Sequence, residues 1–290
     1  MSPQNRYLIA QTIAFTVEEL RQDTSDYLER IADFKTVGVN EKAEFKIRQP
    51  GIRAYIQAKA ATPARSKVAS KSFQVDTISV SARPMVNYVE LQSGQTVMSD
   101  LIADATYQME MAELRYVQQV LDAAATTWES PYYATGAGVV KATLDPMITF
   151  WLRTGGVSLI GDIAIIEKLT ALTGFTADAT HKQYADSLLV EHNANGYIGR
   201  YNGADVVRLS NPYQYYSDTP VAPIDKLFIV PTAADPSMRP LKIIREGGIQ
   251  SMEQTNIDDL TYEVRLDQFF GAAIVIGERP YMSVYEDSSL

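Results

Sequence analysis

The chain has no cysteine and only two histidines among its 290 residues. Without cysteine there are no disulfide bonds, no thiolate catalysis and no cysteine-ligated zinc, and the composition fits synthesis in a reducing cytoplasm. No run of 18 apolar residues occurs, so nothing in the sequence predicts a membrane span or a membrane partner. At 46% hydrophobic and 21% charged residues, the chain is that of a globular protein.

Motifs for catalysis are also missing. His181 and His192 lie in polar, loop-like sequence, eleven residues apart, which is not a metal-ligand spacing. The phosphate-binding GxxxxGK[ST] and GxGxxG patterns and the nucleophile pattern GxSxG do not occur. Asp162 and Glu167 flank the start of a helix and are better interpreted as an N-cap and a surface residue than as an acid/base pair. We therefore expect no catalytic residue, no cofactor and no metal, and a protein that is not an enzyme.

Charge is distributed unevenly along the chain. Residues 45–71 carry seven basic side chains and no acidic one, while the other 19 basic and 35 acidic residues leave the remainder at about −16. The seven are Lys46, Arg48, Arg53, Lys59, Arg65, Lys67 and Lys71. A basic β-hairpin with little apolar content is not stable alone and needs an acidic surface to lie on. This indicates self-assembly, in which one copy's hairpin docks on the next copy. Binding of single-stranded nucleic acid is the alternative for these residues.

A group of carboxylates near the C-terminus is the candidate acidic partner surface for that hairpin. Its members are Asp258, Asp259, Glu263 and Asp267. They lack the glycine and the spacing of a calcium loop, so a solvated or partner-facing strand is the better interpretation.

The predicted elements begin with a helix that a capping box opens at Thr16 and that continues through Phe34 to a stop at Gly38. The hairpin of residues 42–84 follows, and its second arm alternates as one strand from Phe73 onward. A helix of about 25 residues is predicted next, with eight apolar residues at spacings of three and four on its packed face. These are Met98, Ile102, Ala105, Met109, Ala112, Tyr116, Val120 and Ala123.

The second half of the chain alternates strand and helix. A short helix is predicted over 144–152, with Pro146 at its first position. The stretch 157–235 reads as an α/β unit in which Asn202-Gly203 forms a hairpin turn. Long strands close the chain from Leu241.

This order of elements resembles the major capsid protein of tailed double-stranded DNA bacteriophages, which has the Hong Kong 97-like capsid fold. The resemblance is carried by SFQVDTISVSARPMVNYVEL with MSDLIADATYQMEMAELRYVQQVLDAAA, by GDIAIIEKLTALTGF, and by TNIDDLTYEVRLDQFFGAAIVIGERPYMSVYE.

The resemblance implies an α+β fold with four parts. These are an N-terminal arm (1–41), an extended loop (42–84), a peripheral domain (85–140 and 240–272, with a spine helix at about 98–125) and an axial domain (141–239 and 273–290). It further implies self-association into pentamers and hexamers that form an icosahedral shell around the genome, in a virion assembled in the host cytoplasm. A separate scaffolding protein, a portal and a decoration protein are the implied partners, and the packaged DNA is expected to make only weak, non-specific contact.

Two other functions stay open at this stage. An encapsulin-type nanocompartment shell, which encloses an enzyme cargo, has the same fold but generally a shorter extended loop. A soluble hydrolase with a lid hairpin would require a catalytic set in residues 157–235, where the sequence offers none.

Overall fold

The computed structural model describes residues 31–49, 65, 69–87, 98–170, 197–209, 211–214, 217–232, 239–256, 261–274 and 280–290. Within these ranges the chain forms two mixed sheets, a separate two-stranded ribbon and three helices. The helices are α1 (Met98–Ala125), α2 (Lys141–Leu152) and α3 (Ile163–Thr170). The strands are β1 (Ala32–Val37), β2 (Glu44–Gln49), β3 (Ala69–Gln74), β4 (Ile78–Ala82), β5 (Met85–Asn87), β6 (Tyr133–Gly136), β7 (Val157–Gly161), β8 (Arg200–Tyr201), β9 (Ala204–Arg208), β10 (Lys226–Pro231), β11 (Leu241–Asn256), β12 (Thr261–Ile274) and β13 (Ser283–Asp287).

The first sheet is built on the long antiparallel pair β11 and β12. Its order is β1-β11-β12-β4, with β5 on the far end of β12, and β1 runs parallel to β11. Along β12, Tyr262, Val264 and Leu266 are buried, whereas Arg265 between them is exposed. This period of two places one face of the sheet against helix α1, whereas the other, called the open face, carries the exposed Arg265 next to the buried Asp267.

Helix α1 spans 28 residues, as the sequence predicts for the spine helix. Its packed face differs from the predicted one: Ala112 and Ala123 are exposed, while Leu114, Val117 and Leu121 are buried. The predicted stripe is wrong in the second half of the helix because the buried positions there include polar residues. Glu113 and Gln118 are buried there, which an apolar pattern does not register.

The second sheet has six strands in the order β6-β13-β10-β7-β9-β8. Strand β7 is buried along its whole length; α2 lies against β7 and β10, and α3 lies against β9 and β10. Asp162 caps α3 by accepting a hydrogen bond from the Ala164 N–H at 2.8 Å, as predicted. The turn between β8 and β9 has positive φ at both Asn202 (46°) and Gly203 (84°), which confirms the predicted hairpin turn.

Helix α2 begins earlier than predicted. It starts at Lys141 with Val140 as the N-cap, so Pro146 lies inside the helix and not at its first position. Leu144, Met147 and Ile148 form its buried face. The free energy gained by burying this face over three turns exceeds the free energy lost with the one backbone hydrogen bond that Pro146 cannot donate.

Strand β1 overturns part of the predicted N-terminal helix. Residues 32–37 pair in register with Leu241–Glu246, where the sequence predicts helix up to Phe34. Ala32 and its pairing partner Leu241 are both fully buried. Pairing with the buried strand β11 therefore makes residues 32–37 a strand, although the apolar residues leading up to Phe34 are spaced as in a helix. The capping box at Thr16 lies outside the described residues.

The ribbon consists of β2 and β3, paired antiparallel from Glu44↔Gln74 to Gln49↔Ala69. The second arm is not one strand, because it breaks at residues 75–77 and resumes as β4 in the first sheet. The hairpin thus has a distal part that is separate from both sheets and a return segment that belongs to the first sheet. The helices and mostly antiparallel strands together give the expected α+β class.

Candidate subunit interface

The ribbon is anchored to the body of the protein by aromatic packing at its base. Phe45 of β2 is 1% exposed, and its ring stacks on Phe73 of β3 with centroids 5.7 Å apart. Both rings pack with Val75 and with Ile244 of β11. The Lys35 ammonium lies 4.5 Å from the centroid of the Phe45 ring. The base of the hairpin therefore has a small core, which the sequence expectation of little apolar content missed.

The structure describes four of the seven basic residues of the hairpin. The side chains of Lys46 and Arg65 are exposed. Arg48 and Lys71 lie in β2 and β3, where they pair with Ser70 and Ile47. The other three, Arg53, Lys59 and Lys67, lie outside the described residues.

Two members of the predicted acidic partner surface lie in strand β12 on the open face of the first sheet. Glu263 accepts a hydrogen bond from Nε of Arg83 at 2.7 Å, and its side chain is 17% exposed. Asp267 accepts hydrogen bonds from Ser81 and from Arg265, whose Nε lies 2.8 Å from Oδ2. Asp258 and Asp259 lie outside the described residues.

The arginines cover these two carboxylates. The side chains of Arg83 and Arg265 are 61% and 55% exposed, against 17% for Glu263 and 10% for Asp267. Burial alone would raise the pKa of the Asp267 carboxyl, but the hydrogen bonds from Ser81 and Arg265 outweigh it and hold that pKa below its usual range. The described part of this face therefore presents guanidinium groups to solvent, and its carboxylates are already paired within the chain.

Helix α1 is joined by ion pairs to both sheets. Glu113 pairs with Arg245 of β11, Nη2 to Oε2 at 3.1 Å, and Asp122 pairs with Lys226 of β10. The Lys226 side chain is 9% exposed, and burial lowers the pKa of its ammonium. The same apolar cluster contains Val117 of α1 and residues of both sheets. Helix α1 thus connects the two sheets through ion pairs and a shared apolar cluster.

The last strand is held by a buried carboxylate at Asp287. It accepts hydrogen bonds from Lys168 Nζ (2.7 Å), the Gly138 N–H (2.7 Å) and the Ser289 hydroxyl (2.6 Å). Burial alone would raise the pKa of the Asp287 carboxyl, but these hydrogen bonds outweigh burial and hold the pKa far below its usual range. This contact ties the C-terminal strand to α3 and to the loop after β6.

The described residues hold no group of three or more histidine, aspartate or glutamate side chains placed to bind a metal ion. Within the same residues, no helix is both long and apolar enough to cross a membrane.

A family model matches residues 6–285, which is nearly the whole chain, and the family is described as "SPbeta prophage-derived putative capsid protein YonB". The chain belongs to this capsid protein family. No curated protein sequence matches it.

Solved structures share the fold of this family member at low sequence identity. The mature capsid of bacteriophage PhiM1 aligns with a TM-score of 0.59 and 10% identity, covering 92% of this chain and 88% of that one. The head of Helicobacter pylori bacteriophage KHP40 aligns at 0.55 and 12% identity, over 92% and 94% of the two chains. A virus-like particle from Pyrococcus furiosus aligns at 0.54 and 11% identity, over 95% and 98%. The fold is therefore the Hong Kong 97-like capsid fold that the sequence resembles.

Proposed function

We propose that this chain is a major capsid protein, which assembles into pentamers and hexamers and so forms an icosahedral shell around double-stranded phage DNA. The observation that carries the proposal is the capsid family match over residues 6–285. The Hong Kong 97-like fold supports it, and both family and fold are those of structural proteins rather than enzymes. The location that follows is the virion, after assembly in the host cytoplasm.

The division into parts follows the elements. On this proposal the first sheet with α1 forms the peripheral domain, the second sheet with α2 and α3 forms the axial domain, and the ribbon forms the extended loop. Relative to the bounds expected from the sequence, β1 and β4 then belong to the peripheral domain and β6 to the axial domain. Two sheets held rigidly by one helix, with an arm that leaves the body, suit repeated heterologous contacts around five- and six-fold axes. A ribbon of only two strands gains stability by lying on a neighbouring subunit.

Electrostatic attraction supports that contact. Residues 45–71 include seven basic and no acidic residues, and the rest of the chain is strongly acidic. Asp258 and Asp259 are the better candidates for its landing surface, since Glu263 and Asp267 are paired with arginines of their own chain. A net charge of −9 also favours weak, non-specific contact with the packaged DNA.

Further partners are proposed from the fold alone. A separate scaffolding protein would set the shell size, a portal would occupy one vertex, and a decoration protein would bind the outer surface.

Negative-stain electron microscopy of the purified chain, expressed alone and together with its neighbouring reading frames, tests the proposal. Closed shells, tubes or rings of subunits are expected, and shells made in the phage context should protect double-stranded DNA from nuclease. Shells that enclose one folded enzyme and no DNA would favour the encapsulin-type alternative. Small monodisperse particles under all conditions would contradict both.

A further inference from the structure

Two short connections join the ribbon to the first sheet. Residues 38–43 lead from β1 into β2, and residues 75–77 lead from β3 into β4. Both border one cavity of about 180 Å³. It is lined by Asn40, Glu41, Lys42, Ala43, Val75, Asp76, Thr77, Ile244 and Glu246. Any change in the angle between the ribbon and the first sheet must therefore move these two connections.

The Glu246 carboxylate holds both connections. Its Oε1 accepts a hydrogen bond from the Asn40 N–H at 2.5 Å, and its Oε2 accepts one from the Thr77 hydroxyl at 2.9 Å. The two donors belong to opposite arms of the hairpin. Hydrogen bonds to a charged acceptor are about twice as strong as neutral ones. One side chain therefore fixes the point of departure and the point of return of the ribbon.

The backbone around Glu246 is shaped for this contact. The pairing of β11 with β12 is interrupted between Glu246 and Gln250, and Gly247 has φ of +66°. The positive φ favours glycine at this position, and a Cβ atom there would also meet Cγ2 of Val39 at 2.7 Å and displace that side chain. On β12, a Cβ atom on Gly271 would meet the Asp76 carbonyl oxygen at 2.5 Å. Each connection thus packs closely against a glycine of the sheet: the first against Gly247 of β11 and the second against Gly271 of β12.

We propose that Glu246 is a positioning residue that sets the angle between the ribbon and the first sheet, and through it the angle between neighbouring subunits. The second part of this statement rests on the proposed capsid function. The first part concerns the chain by itself. The role requires one hydrogen bond to each connection, because loss of either bond frees one arm of the hairpin while the other arm stays bound.

The variants Glu246→Leu and Glu246→Gln separate this role from simple packing. Leucine has a similar size but accepts no hydrogen bond. Glutamine keeps both contacts, since its amide oxygen accepts from Asn40 N–H and its NH₂ group donates to the Thr77 hydroxyl oxygen. Glu253→Leu is the matched control, because Glu253 lies on the same strand and accepts a hydrogen bond from Tyr262, away from the connections.

Hydrogen exchange of the full chain tests the clamp directly. In Glu246→Leu, amide exchange over residues 38–43 and 75–77 should accelerate about tenfold or more, while exchange in α1 and β7 stays unchanged. Glu246→Gln should lie within about threefold of the wild type, and Glu253→Leu should leave both connections unchanged. Equal exchange of the connections in wild type and Glu246→Leu would overturn the proposal.

Particle diameter, measured by electron microscopy, tests the consequence for assembly. With wild-type shells of uniform size, Glu246→Leu should give a broader distribution of diameters or open sheets, and Glu246→Gln should restore uniform shells. Uniform Glu246→Leu shells of wild-type diameter would refute the role in subunit geometry. If the wild type itself forms no shells, the proposed capsid function fails, and the exchange experiment still decides whether Glu246 holds the ribbon.

Discussion

At the scale of single residues, several carboxylates among the described residues hold elements of the fold together through hydrogen bonds and ion pairs. Asp287 is fully buried, yet it stays ionised because an ammonium group, an N–H and a hydroxyl donate to it. Asp162 divides its two oxygens between the N-terminus of α3 and the amide of Asn211, at 2.8 Å each. Asp287 stabilises the fold only while it is charged and paired.

The variant Asp287→Asn should lower the free energy of unfolding by about 2–3 kcal/mol at neutral pH, because it loses the charge-assisted bond from Lys168. Urea unfolding of the unassembled chain measures this change. Asp205→Asn is the matched control. Its ion pair with Arg200 is formed by side chains that are 53% and 79% exposed, so an effect below about 0.5 kcal/mol is expected.

The pH dependence of stability follows from the direction of the Asp287 shift. Its pKa is lower in the folded than in the unfolded chain, so its contribution is complete above about pH 5 and is lost as pH falls through the folded-state pKa. The wild type should therefore lose its advantage over Asp287→Asn on acidification below about pH 4. A constant difference between the two from pH 7 to pH 3 would show that the carboxyl is not held ionised.

Residue pairing is the part of the candidate site that the sequence does not reveal. Arg83 and Glu263 are 180 positions apart, and only the register of β5 and the end of β4 on β12 brings them together. In the sequence, Glu263 is one of four unpaired acids, whereas in the structure it lies beneath a guanidinium group. Glu246 carries no local signal either, since its function depends on two connections more than 160 residues away.

At the scale of elements, local chemistry determines what could be predicted. The spine helix, the Asn202-Gly203 turn and the Asp162 cap agree with their predictions because helical periodicity, positive φ and capping are local properties. Strand β1 was predicted as helix because its stability comes from pairing with β11. The break at residues 75–77 was missed because alternation continues across it in the sequence while the chain passes from ribbon to sheet.

Two substitutions in α1 test which face of the spine helix is packed. Val117 is fully buried and Ala112 is exposed. Val117→Asp should destabilise the chain by several kcal/mol, roughly 3 or more, and abolish soluble expression, because it buries an unpaired charge. Ala112→Asp should change the free energy of unfolding by less than about 0.5 kcal/mol. Comparable loss of soluble protein in both variants would contradict the assigned face.

At the scale of the whole molecule, the contrast between the basic residues 45–71 and the acidic remainder of the chain links the ribbon to assembly. The body has its own cores in and between the two sheets, and the described residues of the ribbon contribute the small cluster around Phe45. Fold and assembly are therefore separable: changes in the distal ribbon should alter contacts between subunits and leave the subunit itself intact.

Reversing three distal charges, with Arg53→Glu, Lys59→Glu and Arg65→Glu in one chain, tests that separation. The subunit should keep its melting temperature, while assembly should fail or become unusually sensitive to salt, because the ribbon then repels an acidic neighbour. Light scattering across a salt series measures the effect. Shell formation equal to the wild type at every salt concentration would exclude an electrostatic contribution from the ribbon.

The most direct test of the capsid function is a cryo-electron microscopy reconstruction of particles formed by the full chain. The account predicts closed shells in which this chain forms rings of five and six copies, with each ribbon lying across the neighbouring subunit. Particles in which five- and six-fold rings of this chain are absent, or in which the ribbon folds back on its own subunit, would contradict it.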